Sequence, residues 1–402
     1  MEKELMSFFE KFIRSPSIFL NKTTLLSNYI PHSIPHRTDQ VQQLASILAP
    51  TLKLERPSNI FVYGKTGTGK TVTVNFVVKQ ITDLSVQRSI PIRVFYVNCR
   101  LKKVADTEYR LLTQLIQELG KSVPITGLPT DEVYKIFFDA VEGEKQSLII
   151  ILDEIDQLIK KAGDSILYNL TRINTELKNS RISMIGISND ITFINDIDPR
   201  IKSSLSEEEV IFPPYNALQL QQILSERAAL AFRKEAVGEG LIEKCAAYAA
   251  REHGDARRAI DLLRIAAEVA ERQGKSRIAV EDLDQAEEKM ERDRVLDIVK
   301  AQPRQSQLTL YALLQLSRQR KDAIYTGDVY HLYKQLSAST DLRPLTQRRI
   351  SDIISELDML GIIAVRVISK GRYGKTREIS VSISEEMQAK VQALLRQEMD
   401  IP

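Results

Sequence analysis

Apolar residues in the first half of this chain fall into short β-branched runs, separated by longer stretches with apolar spacing of three and four. The runs at 59–63, 92–97, 148–152, 182–188 and 209–212 predict strands. Between them, sets such as Ile166, Leu167, Leu170, Ile173 and Leu177 share one helical face. Strand and helix in alternation predict a mostly parallel sheet covered on both faces. A proline-broken segment, Pro31 to Arg37, precedes a further helix at 38–48. Pro213-Pro214 ends the alternation, and only helical spacing follows, at 216–232, 238–253, 255–273 and 280–299. Asn216 is placed to cap the first of these helices, and the last is crowded with charge from Glu287 to Arg294, as suits a solvent-bridging linker. Helices at 307–320, 327–339 and 346–360 then lead to strand-like runs at 362–369 and 377–382 and a closing helix at 385–398. Three helices and a hairpin are the winged variant of helix-turn-helix. The expected division is an N-terminal segment 1–56, an α/β domain 57–212, a helical domain 213–300 and a winged helix 301–402.

Composition narrows the class. The chain of 402 residues has room for two or three cored domains, and 43% hydrophobic with 27% charged residues is ordinary for a soluble protein. A net charge of +3 gives no general pull on nucleic acid, so any such binding must come from local patches. Cys99 and Cys245 lie far apart without metal-ligand spacing and read as buried thiols of a reducing compartment. The longest apolar run, Leu148 to Leu152, is too short to span a bilayer, and the first twenty residues carry charges where a signal peptide needs an apolar core. A cytoplasmic, nucleoid-associated protein without a membrane partner is expected.

The candidate chemistry begins at Gly64-Lys65-Thr66-Gly67-Thr68-Gly69-Lys70-Thr71, which fits the phosphate-loop pattern G-x-x-x-x-G-K-S/T between a predicted strand and helix. Glycines let the backbone wrap a phosphate, and the helix start points free N–H groups at the anion. Lys70 is expected on the β- and γ-phosphates of ATP or ADP, and the Thr71 hydroxyl on Mg²⁺. The strand at 148–152 ends in Asp153-Glu154; Asp153 fits the Mg²⁺-holding acid and Glu154 the base that polarises the attacking water. Asn189, after the next strand, is placed to orient that water, against the alternative of a local Asx-turn. Arg200 is a candidate arginine finger for a neighbouring subunit. Arg257, with Arg258 as competitor, opens a lid helix from which it can reach the γ-phosphate, and Tyr215 and Arg227 are candidates to line an adenine pocket at the hinge, closed by His36 and Arg37.

The C-terminal hairpin carries Arg366, Lys370, Arg372, Lys375 and Arg377 with Tyr373 at its tip. An aromatic within a basic patch suits phosphate contacts and minor-groove insertion. Arg348 and Arg349 begin the third helix of that region, where a recognition helix meets major-groove base edges.

In this order, the GKTGTGKT loop, LIIILDEID, SND, DPRIKSSL, PPY, GDARRAIDLLR and a terminal winged helix resemble the archaeal replication initiators of the origin-recognition-complex and cell-division-cycle-six type, which are AAA+ ATPases. The resemblance spans nearly the whole chain. It implies an α/β P-loop NTPase (AAA+) core with a parallel sheet, an all-α lid and a C-terminal winged helix. It favours Arg257 over Arg258 as the lid's sensor, strengthens Tyr215 and Arg227 as nucleotide contacts, and implies slow hydrolysis. It also implies double-stranded origin DNA as partner, bound through the winged helix and an insertion at about 100–130 that includes Arg100, Lys102 and Lys103. A replicative helicase is the implied client, with further copies of the chain or paralogous initiators beside it. The rivals are a Holliday-junction-type AAA+ motor, which would form hexameric rings with vigorous DNA-stimulated ATPase, and a winged-helix transcription regulator switched by ATP.

Overall fold

The structure, a computed structural model, describes the chain apart from residues 1–5, 7–8, 10–16, 27–28, 101–106, 125–126, 191, 193–196, 206, 321, 341, 370–374 and 400–402, and apart from the side chains of 204, 369 and 375. It divides into two compact units, residues 1–284 and 285–402.

In the first unit, β1 (Ile60–Tyr63), β2 (Ile92–Asn98), β3 (Ser147–Asp153), β4 (Arg181–Ser188) and β5 (Glu208–Ile211) form one sheet. The order is β2-β3-β4-β1-β5 and every pair is parallel. All of β3 is buried, which its unbroken apolar run permits. Alternate residues face opposite sides: Phe61, Ile150 and Leu152 enter one core, Ile60, Val62, Ile149 and Ile151 the other. Helices α1 (Thr38–Leu48) and α2 (Lys70–Arg88) cover the second face. The first is covered by α3 (Glu108–Glu118), α4 (Thr130–Glu142), α5 (Ile155–Ala162), α6 (Ser165–Arg172) and α7 (Pro199–Leu205). Leu111, Leu115, Val133 and Phe137 of α3 and α4 belong to that core, so much of the expected insertion is sheet cover; Lys102 and Lys103 lie outside the described residues.

Parallel register brings the C-terminal ends of β3, β4 and β1 side by side, with Asp153 opposite Ile187 and Ser188 opposite Tyr63. That row is where the site is built. The edge strand β5 is capped from α1, where Gln43 Nε2 donates to Glu209 O (3.0 Å) and Gln40 Nε2 to Ile211 O (3.2 Å). Those bonds occupy carbonyls that would otherwise template another strand.

The lid comprises α8 (Ala217–Ala231), α9 (Leu241–Arg251), α10 (Ala256–Arg272) and the start of α11 (Val280–Lys300). Asn216 caps α8 in a reciprocal box with Gln219. Helix α9 starts later than the apolar spacing predicts, because Gly240 is left-handed at φ 72°. An N-terminal strap lies on the lid: Leu20 N donates to Ala231 O (2.8 Å), and Lys22 pairs with Glu268 (2.7 Å).

The second unit contains the end of α11, then α12 (Arg304–Gln319), β6 (Ile324–Tyr325), α13 (Thr326–Ser337), α14 (Gln347–Met359), β7 (Ile363–Ser369), β8 (Lys375–Val381) and α15 (Glu385–Glu398). Its antiparallel sheet has the order β6-β8-β7. β6, two residues long, is too short to show any alternation in sequence. Leu310, Leu314, Tyr333, Ile350, Ile354 and Val391 fill the core. Among the described residues, no helix is long and apolar enough to cross a membrane.

Candidate nucleotide site and nucleic-acid interface

The loop Gly64 to Thr71 joins β1 to α2, with Lys65 and Thr66 exposed at its tip and Thr68 buried. Gly67 and Gly69 are left-handed at φ 72° and 91°. Both are also crowded: a Cβ on Gly67 would lie 1.8 Å from Asp255 Oδ1, and one on Gly69 would lie 2.7 Å from the Tyr215 hydroxyl. Buried Lys70 donates from Nζ to Gly64 O (2.7 Å), Lys65 O (2.8 Å) and Asn189 Oδ1 (2.8 Å). Burial pushes the Lys70 amine down to about 8, opposed by the charge of Asp153 and assisted by that of Arg257.

Asp153 ends β3 with its carboxylate buried and hydrogen-bonded at both oxygens. Oδ2 accepts from the Thr71 hydroxyl (2.9 Å) and the Tyr96 hydroxyl (2.7 Å), and Oδ1 from the Glu154 N–H (2.9 Å). Burial first, and then the Asp153 bond, push the Tyr96 phenol well above its ordinary range. Thr71 and Asp153 thus present adjacent hard oxygens, the donor set Mg²⁺ prefers. Glu154 adopts φ 55°, a left-handed backbone that costs a side-chain-bearing residue ~1–2 kcal/mol. That turn swings the chain from β3 straight into α5. The Glu154 carboxylate lies 3.8 Å from Arg100.

The lid reaches this loop directly. Asp255 caps α10 by accepting from Arg258 N (3.0 Å), and Ala256 N donates to Gly67 O (3.1 Å). Of the two adjacent arginines, Arg258 is drawn into an ion pair with Glu252 (2.6 Å), whereas Arg257 is close enough to Lys70 to depress its proton affinity. At the hinge, buried Tyr215 stacks on Arg37, the guanidinium 3.8 Å from the ring centre. Arg37 also donates to Thr68 O (3.0 Å) and Pro213 O (2.6 Å). Arg227 is engaged elsewhere, donating to Thr24 O (2.9 Å) with its cation 4.5 Å over Tyr29 in the N-terminal strap. Arg200, at the start of α7, is mostly exposed and forms a fork with Asp198, at 3.1 and 2.8 Å, that holds the Asp198 carboxyl down to about 2.

In the second unit, the Thr346 hydroxyl caps α14 by accepting from Arg349 N, and Arg348 and Arg349 lie exposed on its first turn. Arg349 leans back on its own helix, 3.8 Å from Asp352 and 3.5 Å from Glu356. Arg377 is turned inward from β8, its Nη1 donating to Ser351 O (2.9 Å), Ser351 Oγ (3.0 Å) and Ser355 Oγ (2.7 Å) of α14. Lys370, Arg372 and Tyr373 lie outside the described residues, as does the side chain of Lys375.

Two participants escaped the sequence pattern. Tyr96 sits in mid-strand and meets Asp153 only through the pairing of β2 with β3. Asp255 reads as an ordinary helix cap, and its seat against Gly67 is a long-range contact.

Family models match three stretches: an AAA domain at 53–191, a Cdc6 AAA+ ATPase-type lid domain at 221–288, and a CDC6 C-terminal winged helix domain at 297–390. The ORC1-type DNA replication protein of Thermococcus onnurineus is 51% identical over 94% of this chain and 92% of its own length. That of Pyrococcus furiosus is 50% identical over 99% and 94%. The structure of the Aeropyrum pernix ORC1 protein in complex with DNA is similar with a TM-score of 0.81 at 41% identity, covering 95% of this chain and 97% of that one. With core, lid and winged helix each matched and the identity sustained along almost the whole length, this chain belongs to the family of ORC1-type DNA replication proteins.

Proposed function

We propose that this chain is an ATP-dependent replication initiator that binds origin duplex DNA and helps bring in the replicative helicase. The observation that carries the nucleotide half is one hydrogen-bonded set: Lys70 on Asn189, Thr71 on Asp153, and the lid's Ala256 on Gly67. Strand ends, loop and lid therefore converge where a nucleoside triphosphate's phosphates belong.

In this reading, Lys70 and the loop N–H groups of residues 64–71 hold the phosphates, and Thr71 and Asp153 hold Mg²⁺. Bound Mg²⁺ supplies charge neutralisation on the phosphate oxygens. Glu154 takes the proton of the attacking water, and Asn189, the hydrogen-bond partner of Lys70, orients it. Arg257 adds positive charge from the lid, and Tyr215 lies where the hinge meets the loop. Arg227, whose side chain is bonded to Thr24 O and lies over Tyr29, is assigned with Tyr215 to the base pocket on the family resemblance alone. Exposed Arg200 serves a neighbouring copy or a paralogous initiator.

DNA binding is assigned to the first turn of α14, through Arg348 and Arg349, and to the hairpin residues Lys370, Arg372, Tyr373 and Lys375. It is supported by the winged-helix layout and by the A. pernix ORC1 relative, whose structure is in complex with DNA. The test is a footprint of the purified chain across its own genome's duplex DNA, with ADP and then ATP, at physiological salt. Discrete protected sites that vanish in Arg348→Ala and Arg372→Ala are expected. Uniform weak protection, or binding confined to branched junctions, would overturn the initiator reading.

A further inference from the structure

We propose that Arg37 is a positioning residue that couples the phosphate loop to the lid hinge, so that the nucleotide held by the loop is felt at the hinge; this rests on the nucleotide reading above. Arg37 is 2% exposed, and its guanidinium spans three segments. Nε donates to Thr68 O inside the loop (3.0 Å), Nη2 to Pro213 O where the chain leaves the core (2.6 Å), and Nη1 to His36 O (3.3 Å). Its flat face covers Tyr215 at 3.8 Å and Phe212 at 5.6 Å, the residues flanking the double proline.

These acceptors are all neutral carbonyls. Burying a cation without a carboxylate is expensive, and an apolar side chain of similar volume would fill the same space at lower cost. Filling space therefore does not explain an arginine here. What arginine alone offers is a rigid fork of N–H donors that holds several oxygens at fixed mutual angles. Lysine has three donors but on one nitrogen, so it gathers oxygens that surround a single point, as Lys70 does, whereas Thr68 O and Pro213 O are met by two different nitrogens of Arg37.

The neighbouring geometry makes such a fork consequential. Thr68 lies between Gly67, whose carbonyl is bonded to the lid's Ala256, and Gly69, on which an added Cβ would stand 2.7 Å from the Tyr215 hydroxyl. A shift of the loop backbone as it engages phosphate moves the Thr68 carbonyl. Arg37 then either carries Pro213 and Tyr215 with it or loses one of its bonds. Helix α1 begins immediately after Arg37 and is packed into the core through Leu44 and Leu48, so the fork has a fixed base.

The test uses the full chain and its Arg37→Met and Arg37→Lys variants, with hydrogen exchange of residues 212–218 recorded in ADP and in ATP, and affinities for both nucleotides. The wild type is expected to exchange differently at the hinge in the two nucleotides. Arg37→Met is expected to keep wild-type exchange protection in α1 and β1, the sign that the first unit is folded, yet lose that difference, with nucleotide affinity falling about tenfold. Arg37→Lys is expected not to restore it, because one ammonium nitrogen cannot stand in both places that Nε and Nη2 occupy. If Arg37→Met fails to fold, Tyr215→Leu, which removes the stacking face but not the carbonyl bonds, must still reduce the hinge difference. A folded Arg37 variant that keeps both affinities and the wild-type hinge response would overturn the proposal while leaving the nucleotide reading intact. A wild-type chain that binds neither nucleotide would overturn both.

Discussion

Replacing Gly67 with alanine isolates the contact between loop and lid. At φ 72° an alanine carries ~1–2 kcal/mol of left-handed strain. Gly120, at φ 84° with nothing within 4 Å of its would-be Cβ, carries the same strain and nothing else. The Gly67 methyl would also stand 1.8 Å from Asp255 Oδ1, so Asp255 must move. Moving it removes the cap of α10, worth ~1 kcal/mol, and strains the Ala256 N to Gly67 O bond, worth about another 1 kcal/mol. Gly67→Ala should therefore cost roughly 2 kcal/mol more than Gly120→Ala. The excess should appear locally, as faster hydrogen exchange in the first turn of α10. Exchange is the suitable assay because the chain has two compact units, for which one melting temperature is poorly defined. Equal costs for the two substitutions, or an excess spread over the whole first unit, would refute the docking of the lid on this loop.

Other expectations follow from particular contacts. Arg258→Ala, which breaks the pair with Glu252, should destabilise the lid by about 1 kcal/mol with little change in nucleotide affinity; Arg257→Ala should leave stability alone and weaken ATP more than ADP, as calorimetry would show. Glu154→Gln should keep ATP binding but cut single-turnover hydrolysis at least a hundredfold, about the contribution of a general base. Burial raises the Cys99 thiol to about 12, so at pH 8 the native protein should resist alkylation there, with labelling seen by mass spectrometry only after unfolding. Arg377→Ala should weaken duplex binding several-fold through loss of the bonds that tie β8 to α14, and Ser351→Ala with Ser355→Ala should reproduce part of that loss in a gel-shift titration, since neither serine carries charge.

The sequence carried the centre of the sheet because β1 and β3 are buried on both faces and so are written as continuous apolar runs, as Ile149 to Leu152 show. It carried the loop because glycines at 67 and 69 are forced by backbone geometry as well as by chemistry. It did not carry β6, whose two residues hold no period, or the seat of Asp255, whose local role as a helix cap conceals the distant one. Arg377 shows the opposite limit. Within a run of basic residues it looked like part of a surface patch, yet it is turned onto the serines of α14. Charge pattern alone does not say which members of a basic cluster face solvent.

The choice of partners around the site follows one rule. Lys70 is held by two carbonyls and an amide oxygen, and Arg37 by three carbonyls and a ring. Asp153 is held by two hydroxyls and an N–H. Each charged group is thus fixed in direction by neutral dipoles, which orient it without cancelling it. Had Asp153 closed directly on Lys70, the two charges would have neutralised each other, and an incoming phosphate or Mg²⁺ would have to break that pair first. Neutral partners leave both signs available in one partly dry site, where the effective dielectric is low and a charge acts more strongly than in water. The same logic separates the two lid arginines: Arg258 has its charge answered by Glu252, while Arg257 adds to the field on Lys70. A new carboxylate beside Lys70, as in Asn189→Asp, should therefore weaken nucleotide binding more than Asn189→Ala, although Asp restores an acceptor at the same place. If Asn189→Asp proved the milder change, the role of Asn189 would lie in anchoring the lysine and not in keeping its charge free.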